Sequence, residues 1–375
     1  METNQIYELV NSVTQQAFGN EAIAVTDARG LISLGDTVLT SQANTEAFLN
    51  VLVQRIGRTI YHYRAYRNKL RGIILESDME WGAIMQKIDI ELPEAVQDDA
   101  YDLVDGQSVD PWIISKPKAR QKLFVGRNPY MFKITISRKL LKEAFLSETA
   151  LSAFVSVVFG KVRNMIEASY EDLARTALCS AIGSVRGGNL ADGPQRIPLG
   201  TMWRDETGST EQSTALKHNK DFLAWAVGKI NLYSDYMTDM TGLYNDKSIE
   251  TFTPKEDQRL VVLSDFERRL ETVTQWQAFH DGYVKLRNYE TINFWQSPTD
   301  IESVKTTNLE TGAEYNGNHI VAALFDRDAL GVYQMEEEVL TTSVNPRGLY
   351  YNTFYHILKN MFFDRSENFL VFTLN

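Results

Sequence analysis

Five histidines, a single cysteine and several close-set aspartates are the side chains in this sequence best suited to catalysis or metal binding. His62, His218, His280, His319 and His356 include no pair three or four residues apart, the spacing that brings two imidazoles to one metal. Each reads as a packed or exposed single histidine. Cys179 stands in the apolar run Ala177-Leu178-Cys179-Ser180-Ala181-Ile182 and reads as a small buried hydrophobe. With one cysteine there is no intrachain disulfide framework and no thiolate metal cluster. Asp98, Asp99, Asp102 and Asp105 could gather a hard cation, but they lack the Gly and bidentate Glu that order a calcium loop. A solvated acidic loop tip is expected there. Asp326 and Asp328 could hold a divalent ion as an Asp-x-Asp pair, although a hairpin turn, in which Asp satisfies its own backbone, explains them more simply. Glu336-Glu337-Glu338 reads as a wet strand end. Gly187-Gly188 has no neighbouring Lys to reach a phosphate and reads as a helix terminator. None of these groups supports an enzyme assignment, and none implies a cofactor.

The remaining concentration of unusual chemistry is TSVNPRGLYYNTFYH, residues 342–356, with a turn-forming Asn345-Pro346, Arg347, Gly348, four aromatics and His356. Asn345-Pro346 is expected to turn the chain and aim Arg347 outward, with Gly348 relaxing the backbone. After it, Leu349, Tyr351, Thr353 and Tyr355 alternate with Tyr350, Asn352, Phe354 and His356, so aromatics fall on both faces of a strand. Such a strand is expected to be covered on both sides, within a sheet against a helix. Arg347 suits a carboxylate on a neighbouring molecule, because its planar fork binds carboxylates bidentately. An intramolecular pair pinning the turn is the other reading.

The elements that would carry these residues can be read along the chain. Residues 1–45 are polar and thinly provided with apolar anchors, too few to fold alone. A helix follows with Thr45 as N-cap and Phe48, Leu49, Leu52, Val53 and Ile56 on one face, stopped by Gly57. Ile88, Ile90 and Leu92 then alternate with charged residues, as do Phe132, Ile134 and Ile136 with Lys133, Thr135 and Ser137. Two strands with one wet face each are expected, joined across an acidic, turn-rich stretch as one long projection. A lone two-stranded ribbon is barely stable in water, so this one should lie on something else. Ser147 opens the longest helical pattern, through Leu151, Phe154, Val155, Val158, Val162, Met165, Ile166 and Leu173 to about Ile182. Gly160 within it could mark a bend or a close crossing. Residues 185–220 read as a long loop and 222–232 as a helix. Leu260-Val261-Val262-Leu263 reads as a buried strand, and Ser264 with Glu267 as a capping box. Strands return at 319–325, 331–335 and 349–374, with a turn at Asp326-Arg327-Asp328.

Composition bounds the role. A chain of 375 residues suffices for one large core or two ordinary domains, and 43% apolar with 23% charged residues describes a soluble globular protein. The net charge of −11 argues against a surface that wraps nucleic acid, and suits one that DNA must slide past. Met1-Glu2-Thr3-Asn4-Gln5 lacks the basic start of a signal peptide, and no window approaches a membrane span.

From Leu324 the sequence runs LFDRDALGVYQMEEEVLTTSVNPRGLYYNTFYH. This resembles the C-terminal region of the major capsid proteins of phi-29-like short-tailed phages, podoviruses with double-stranded DNA. That family carries an aspartate-basic-aspartate turn, here Asp326, Arg327 and Asp328. It then carries an NPRGLY block, here Asn345, Pro346, Arg347, Gly348, Leu349 and Tyr350, and an aromatic strand ending at Tyr355 and His356. Upstream, LVQRIG (52–57), KLFVGRNPYMFKITI (122–136) and AFVSVVFGKVRNMI (153–166) follow in the same order. The resemblance implies an α+β fold of the Hong Kong-97 type, with an N-arm, an E-loop, a P-domain of spine helix and sheet, and an A-domain. On that scheme residues 1–57 are the arm and a short helix, and 58–140 the E-loop with its flanking strands. Residues 141–190 are the spine helix, 191–318 the A-domain, and 319–375 return strands completing the P-domain sheet. The family's Ig-like extension has no counterpart before Asn375, so no decorating role is expected.

The function so implied is self-assembly into the icosahedral shell around a tailed phage's packaged double-stranded DNA, with no chemistry of its own. Expected partners are identical copies in hexamers and pentamers, a scaffolding protein, a portal and the DNA, with no membrane. The expected location is the virion capsid, assembled in the host cytoplasm. Two other readings are an encapsulin-like nanocompartment shell and a metal-dependent cytosolic hydrolase. The phi-29-like matches weigh against the first, and the lack of converging His and carboxylate residues against the second.

Overall fold

Ile6, Leu9, Val10 and Val13 recur at helical spacing and form the buried face of α1 (Thr3–Phe18). The computed structural model describes residues 3–19, 24–59, 66, 68–75, 85–91, 102–110, 112, 114, 116, 118–124, 126, 128–185, 194–277, 289–307, 312 and 314–375. Helix α2 (Ala28–Thr40) starts where the Asp27 carboxylate accepts the Gly30 N–H at 2.7 Å, and it buries Leu31, Leu34 and Val38. Helix α3 (Gln42–Thr59) starts at Ser41, whose hydroxyl oxygen accepts the Asn44 N–H at 3.1 Å. Thr45 is therefore not the cap. It lies buried inside the first turn and donates to the Val38 carbonyl at 2.8 Å. The N-terminal segment expected to lack a core is instead three helices. Each apolar face is too small alone, but together they share a cluster with Phe145, Leu151, Phe154, Val155, Tyr351 and Tyr355.

A 3-10 turn (Arg71–Ile73) leads to β1 (Ile74–Leu75), then the ribbon strands β2 (Met85–Glu91) and β3 (Lys118–Phe124), then β4 (Asn128–Ser137). The second strand of the projection is thus β3. The Phe132, Ile134 and Ile136 alternation belongs to β4, which pairs elsewhere. Two alternating strands close in sequence look like a pair, but the pairing partner of β4 lies over 200 residues away. Helix α4 (Arg138–Ala144) is capped by Ser137.

Helix α5 (Glu148–Ser184) begins as expected at Ser147, whose hydroxyl oxygen accepts the Ala150 N–H at 3.1 Å. Its 37 residues, at ~1.5 Å each, extend about 55 Å. It runs through Gly160 without a break and past Gly183, where a Cβ would stand 2.0 Å from Thr306 Cγ2 of the strand β8 (Val304–Thr307). Gly183 serves a close crossing, not a stop. Contrary to the sequence reading, α5 is long and apolar enough by length and composition to cross a membrane. Its composition follows from serving two cores. Leu151, Phe154, Val155 and Val162 enter the N-terminal cluster, while Leu173, Ala174, Leu178 and Ile182 enter a larger one, with Ile166 touching both.

The 185–220 segment is more ordered than a loop. It contains β5 (Arg196–Pro198), α6 (Leu199–Thr207) and α7 (Ser213–Leu216), followed by α8 (Lys220–Tyr236). Strand β6 (Gln258–Leu263) is buried as expected and leads into α9 (Ser264–Gln277). The capping box there is not the arrangement found: the Ser264 hydroxyl donates to Asn293 Oδ1 at 3.3 Å, and Glu267 accepts from the Tyr289 hydroxyl at 3.1 Å. The remaining strands are β7 (Tyr289–Ile292), β9 (Glu314–Gly317), β10 (Ile320–Asp326), β11 (Leu330–Thr341), β12 (Tyr350–Phe363) and β13 (Phe369–Thr373).

These strands form a four-stranded sheet ordered β1-β11-β12-β4 and a five-stranded sheet ordered β5-β13-β10-β6-β7, with β2-β3 and β8-β9 as separate pairs. The 319–375 segment therefore does not complete one sheet. Strands β10 and β13 lie in the five-stranded sheet, and only β11 and β12 lie in the other. The Asp326–Asp328 turn is accordingly no hairpin; it passes the chain between sheets. The chain returns through residues 364–368. The two crossings lie side by side: Asp326 N–H donates to the Asn368 carbonyl at 2.9 Å, and Asp364 N–H to the Ala329 carbonyl at 2.6 Å. Glu336-Glu337-Glu338 falls within β11, facing β12, and not at a strand end. Strand β12 is covered on both faces only toward its end, where Asn360 and Phe362 are buried; over its first half one face stays open. Tyr351, Thr353, Tyr355 and Ile357 are buried, Tyr350, Asn352 and Phe354 are half-buried, and His356 is exposed. On that open half, Lys133 sits over the Phe354 ring and His356 stacks on it.

Candidate functional site

His62, His280, Asp98, Asp99, Gly187 and Gly188 lie outside the described residues. Among the described residues, no three His, Cys, Asp or Glu side chains are placed to share a metal ion. His319 pairs with Glu302 at 3.1 Å, His218 meets Arg269 at 3.0 Å, and His356 is exposed. Cys179 is buried, its thiol pushed up to about 12 by that burial, and its sulfhydryl donates to the Trp295 carbonyl at 3.4 Å. A thiol held protonated in this way is not a nucleophile.

The aspartates of the crossing serve structure. Asp326 is buried, its Oδ1 accepting the Asp328 N–H at 2.8 Å and its Oδ2 the Thr253 hydroxyl at 2.7 Å. Burial raises its carboxyl above the ordinary range. Asp328 contributes its backbone to that bond, and no ion is needed to explain the pair.

The NPRGLY turn is built by Asn345. Its Oδ1 accepts the N–H groups of Arg347 and Gly348 at 3.0 and 3.1 Å, and its Nδ2 donates to the Tyr350 hydroxyl at 3.0 Å. Backbone bonds Leu349 N–H to Asn345 carbonyl (2.8 Å) and Asn345 N–H to Tyr350 carbonyl (2.9 Å) close it. The left-handed residue is Leu349 (φ 50°), so the backbone relaxation expected of Gly348 falls one position later. Pro346, Arg347, Gly348 and Leu349 are all exposed, and among the described residues no carboxylate meets the Arg347 guanidinium. Asn345 supplies the side-chain bonds that close the turn.

The ribbon inverts the expected polarity. Register places Lys87 opposite Lys122, and both point at the chain's own body. Lys122 Nζ reaches Asp364 Oδ1 at 2.7 Å, and Lys87 Nζ reaches Asp364 Oδ2 at 3.1 Å and also pairs with Glu367. Phe124 continues this inner face, its ring 5.0 Å from that of Phe362. The alternate face carries Ile88 and Leu123, 64% and 53% exposed. The ribbon thus turns Lys87, Lys122 and Phe124 inward and Ile88 and Leu123 out. Beyond it, Trp112 and Ile114 are 85% and 80% exposed, so the tip is not simply acidic. Large apolar side chains left in water in this way mark a surface that another protein covers. A sequence signal existed: Trp112 and Ile114 interrupt the acidic stretch.

A third exposed stripe runs along the five-stranded body. Tyr236 on α8, Met240, Leu243 and Phe252 are each more than two-fifths exposed, and the Thr241–Thr251 bridge sets Met240 and Phe252 opposite each other.

Comparison with known proteins fits a chain built from such surfaces. The model of the family described as Phi29-like phage major capsid protein matches residues 8–373. The major capsid protein of Bacillus phage PZA is 23% identical over 98% of this chain and 72% of its own length. That of Streptococcus phage Cp-1 is 23% identical over 84% of this chain and 79% of its own. Among solved structures, a chain of the Staphylococcus phage Andhra capsid superposes with a TM-score of 0.52 at 14% identity, covering 85% of this chain and 87% of that one. The fold is the Hong Kong-97 type, an α+β capsid architecture. The chain belongs to the Phi29-like phage major capsid protein family, the head-shell subunits of tailed phages.

Proposed function

We propose that this capsid protein closes into its icosahedral shell by laying the ribbon, as the E-loop, on an adjoining copy. The single observation that supports this most is the ribbon's outward apolar face, Ile88 and Leu123, continued by Trp112 and Ile114 at the tip. On this reading the four-stranded sheet with α5 is the P-domain, and the five-stranded sheet with α6–α9 is the A-domain. The N-terminal arm is, for residues 3–19 and 24–59, a helical layer on the chain's own core. Arg347, exposed and unpaired among the described residues, suits a carboxylate of a neighbour, and the exposed Tyr236, Met240 and Phe252 suit contacts around a symmetry axis. Many modest contacts that close on themselves give a stable particle where one would not. The role is structural, with no reaction assigned to the chain. Scaffolding protein, portal and packaged double-stranded DNA are the further partners, and the host cytoplasm the place of assembly. The net charge of −11 fits a wall that does not trap DNA.

The test is a double variant, Trp112→Ala with Ile114→Ser. Both side chains are exposed in the single chain, so its melting temperature should not change. Electron micrographs should show closed particles from the parent chain and none, or only small rings, from the variant. Particles of parental yield and size from the variant would remove the tip from the assembly surface.

A further inference from the structure

Lys87 and Lys122 are direct cross-strand neighbours, a placement in which like charges repel. Long lysine side chains normally relieve such repulsion by reaching into water. Here both stay half-buried against one carboxylate, Asp364, which is only 2% exposed. Ser366 adds its N–H and hydroxyl to the same Oδ1, at 3.0 and 2.8 Å, and its hydroxyl oxygen also receives Lys122. Glu367 holds Lys87 from the other side, and Asp326 at the end of β10 adds a third negative group nearby. Two cations from the ribbon thus meet two carboxylates of the returning crossing, with the Asp326 carboxylate close by.

The location gives this cluster its meaning. Residues 364–368 are where the chain returns from the four-stranded to the five-stranded sheet, hydrogen-bonded to the outgoing crossing at 326–329. Arg365 from the same turn pairs with Asp246 and donates to the Ser184 carbonyl at the end of α5. The base of the ribbon is therefore fastened at the point where both sheets and the long helix meet. Apolar contact at that base is small, Phe124 on Phe362 and Tyr333.

We propose that Asp364 is the positioning residue of the ribbon: an electrostatic latch on Lys87 and Lys122 that keeps the charged face in and the Ile88–Leu123 face out. The latch is a property of the single chain. Only its consequence, a correctly aimed surface for an adjoining copy, rests on the assembly reading above. Its strength depends on charge, so neutral replacements of either partner open it while leaving both sheets in place.

Hydrogen exchange on the full-length unassembled chain tests this, comparing peptides of β2 and β3 with peptides of β6 and β10. Lys122→Met should raise exchange in β2 and β3 roughly tenfold, equal to ~1.4 kcal/mol, and leave β6 and β10 unchanged. Asp364→Asn should do the same or more, and Lys122→Arg should retain parental exchange. If Asp364→Asn fails to fold, Lys122→Met and Lys122→Arg decide the matter. Parental exchange in the ribbon of Lys122→Met, or a uniform rise in every strand, overturns the latch. So does Lys122→Arg behaving like Lys122→Met. Closed particles formed by a variant whose ribbon has loosened would instead count against the assembly reading and leave the latch standing.

Discussion

Lys359 on β12 is fully buried, and among the described residues no carboxylate forms an ion pair with it. Its Nζ donates to the Ser169 hydroxyl at 2.6 Å and lies 3.3 Å from the centroid of the Tyr170 ring, with Tyr130 at 5.2 Å on another side. Burial pulls the ammonium down to about 8 from 10.5, with Glu167 and Glu337 pulling it part of the way back. Below about pH 8 the native chain carries a buried charge at full cost. Between about 8 and 10.5 the native lysine loses its proton while the unfolded one keeps it, so stability rises with pH; above 10.5 the gain is complete. At ~1.4 kcal/mol per pH unit the full gain is about 3 kcal/mol. The Tyr170 ring favours the charged form by up to ~2 kcal/mol, so the expected gain is about 1–3 kcal/mol. Lys359→Met removes the titrating group and keeps the volume. Urea unfolding of parent and variant, followed by tryptophan fluorescence at intervals from pH 7 to 10.5, isolates the contribution as a difference. The parent should gain on the variant across that range. A difference that stays flat, or falls, would show that Lys359 titrates like an exposed lysine and that the Tyr170 cage does not desolvate it.

Two further substitutions probe the larger core. At Gly200 a Cβ would stand 2.2 Å from the Leu374 carbonyl oxygen, a backbone atom that cannot rotate away. Gly200→Ala should therefore cost about 1–3 kcal/mol, read as a lower denaturation midpoint. Arg196 is 2% exposed and donates to the Ile182 carbonyl at 2.9 Å and the Val185 carbonyl at 3.4 Å, so it caps the C-terminal end of α5. Arg196→Met leaves those carbonyls without their donor and should lower stability by about 1–3 kcal/mol, with faster exchange of the last turn of α5. A variant as stable as the parent would show that burial of the guanidinium cancels its capping.

Local chemistry was legible where it acts within a few residues. Ser147 announced α5, and Asn345 and Asp326 each bind backbone two or three positions on, as their types suggest. The N-terminal helices were also written in the chain, since Ile6, Leu9, Val10 and Val13 keep helical spacing. Surrounding Asn, Gln and Thr residues hide the pattern by making the segment polar on average. What could not be read is non-local. Alternation in β2 says that one face differs from the other, but not which is inward. That choice belongs to Asp364 and Glu367, the latter 280 residues from Lys87. In the same way Asp326-Arg327-Asp328 looks like a hairpin, because nothing nearby reveals that β10 and β11 pair with different sheets.

The three-helix layer at the start of the chain has a consequence for how the protein is made. Its apolar faces rest on Tyr351 and Tyr355, and Glu46 meets the Val344 N–H across 298 residues of sequence. A ribosome adding ~5–20 residues per second leaves those helices waiting for about 15–60 s before their partners emerge. Through that interval the nascent chain carries sticky, unmatched surface at its oldest end.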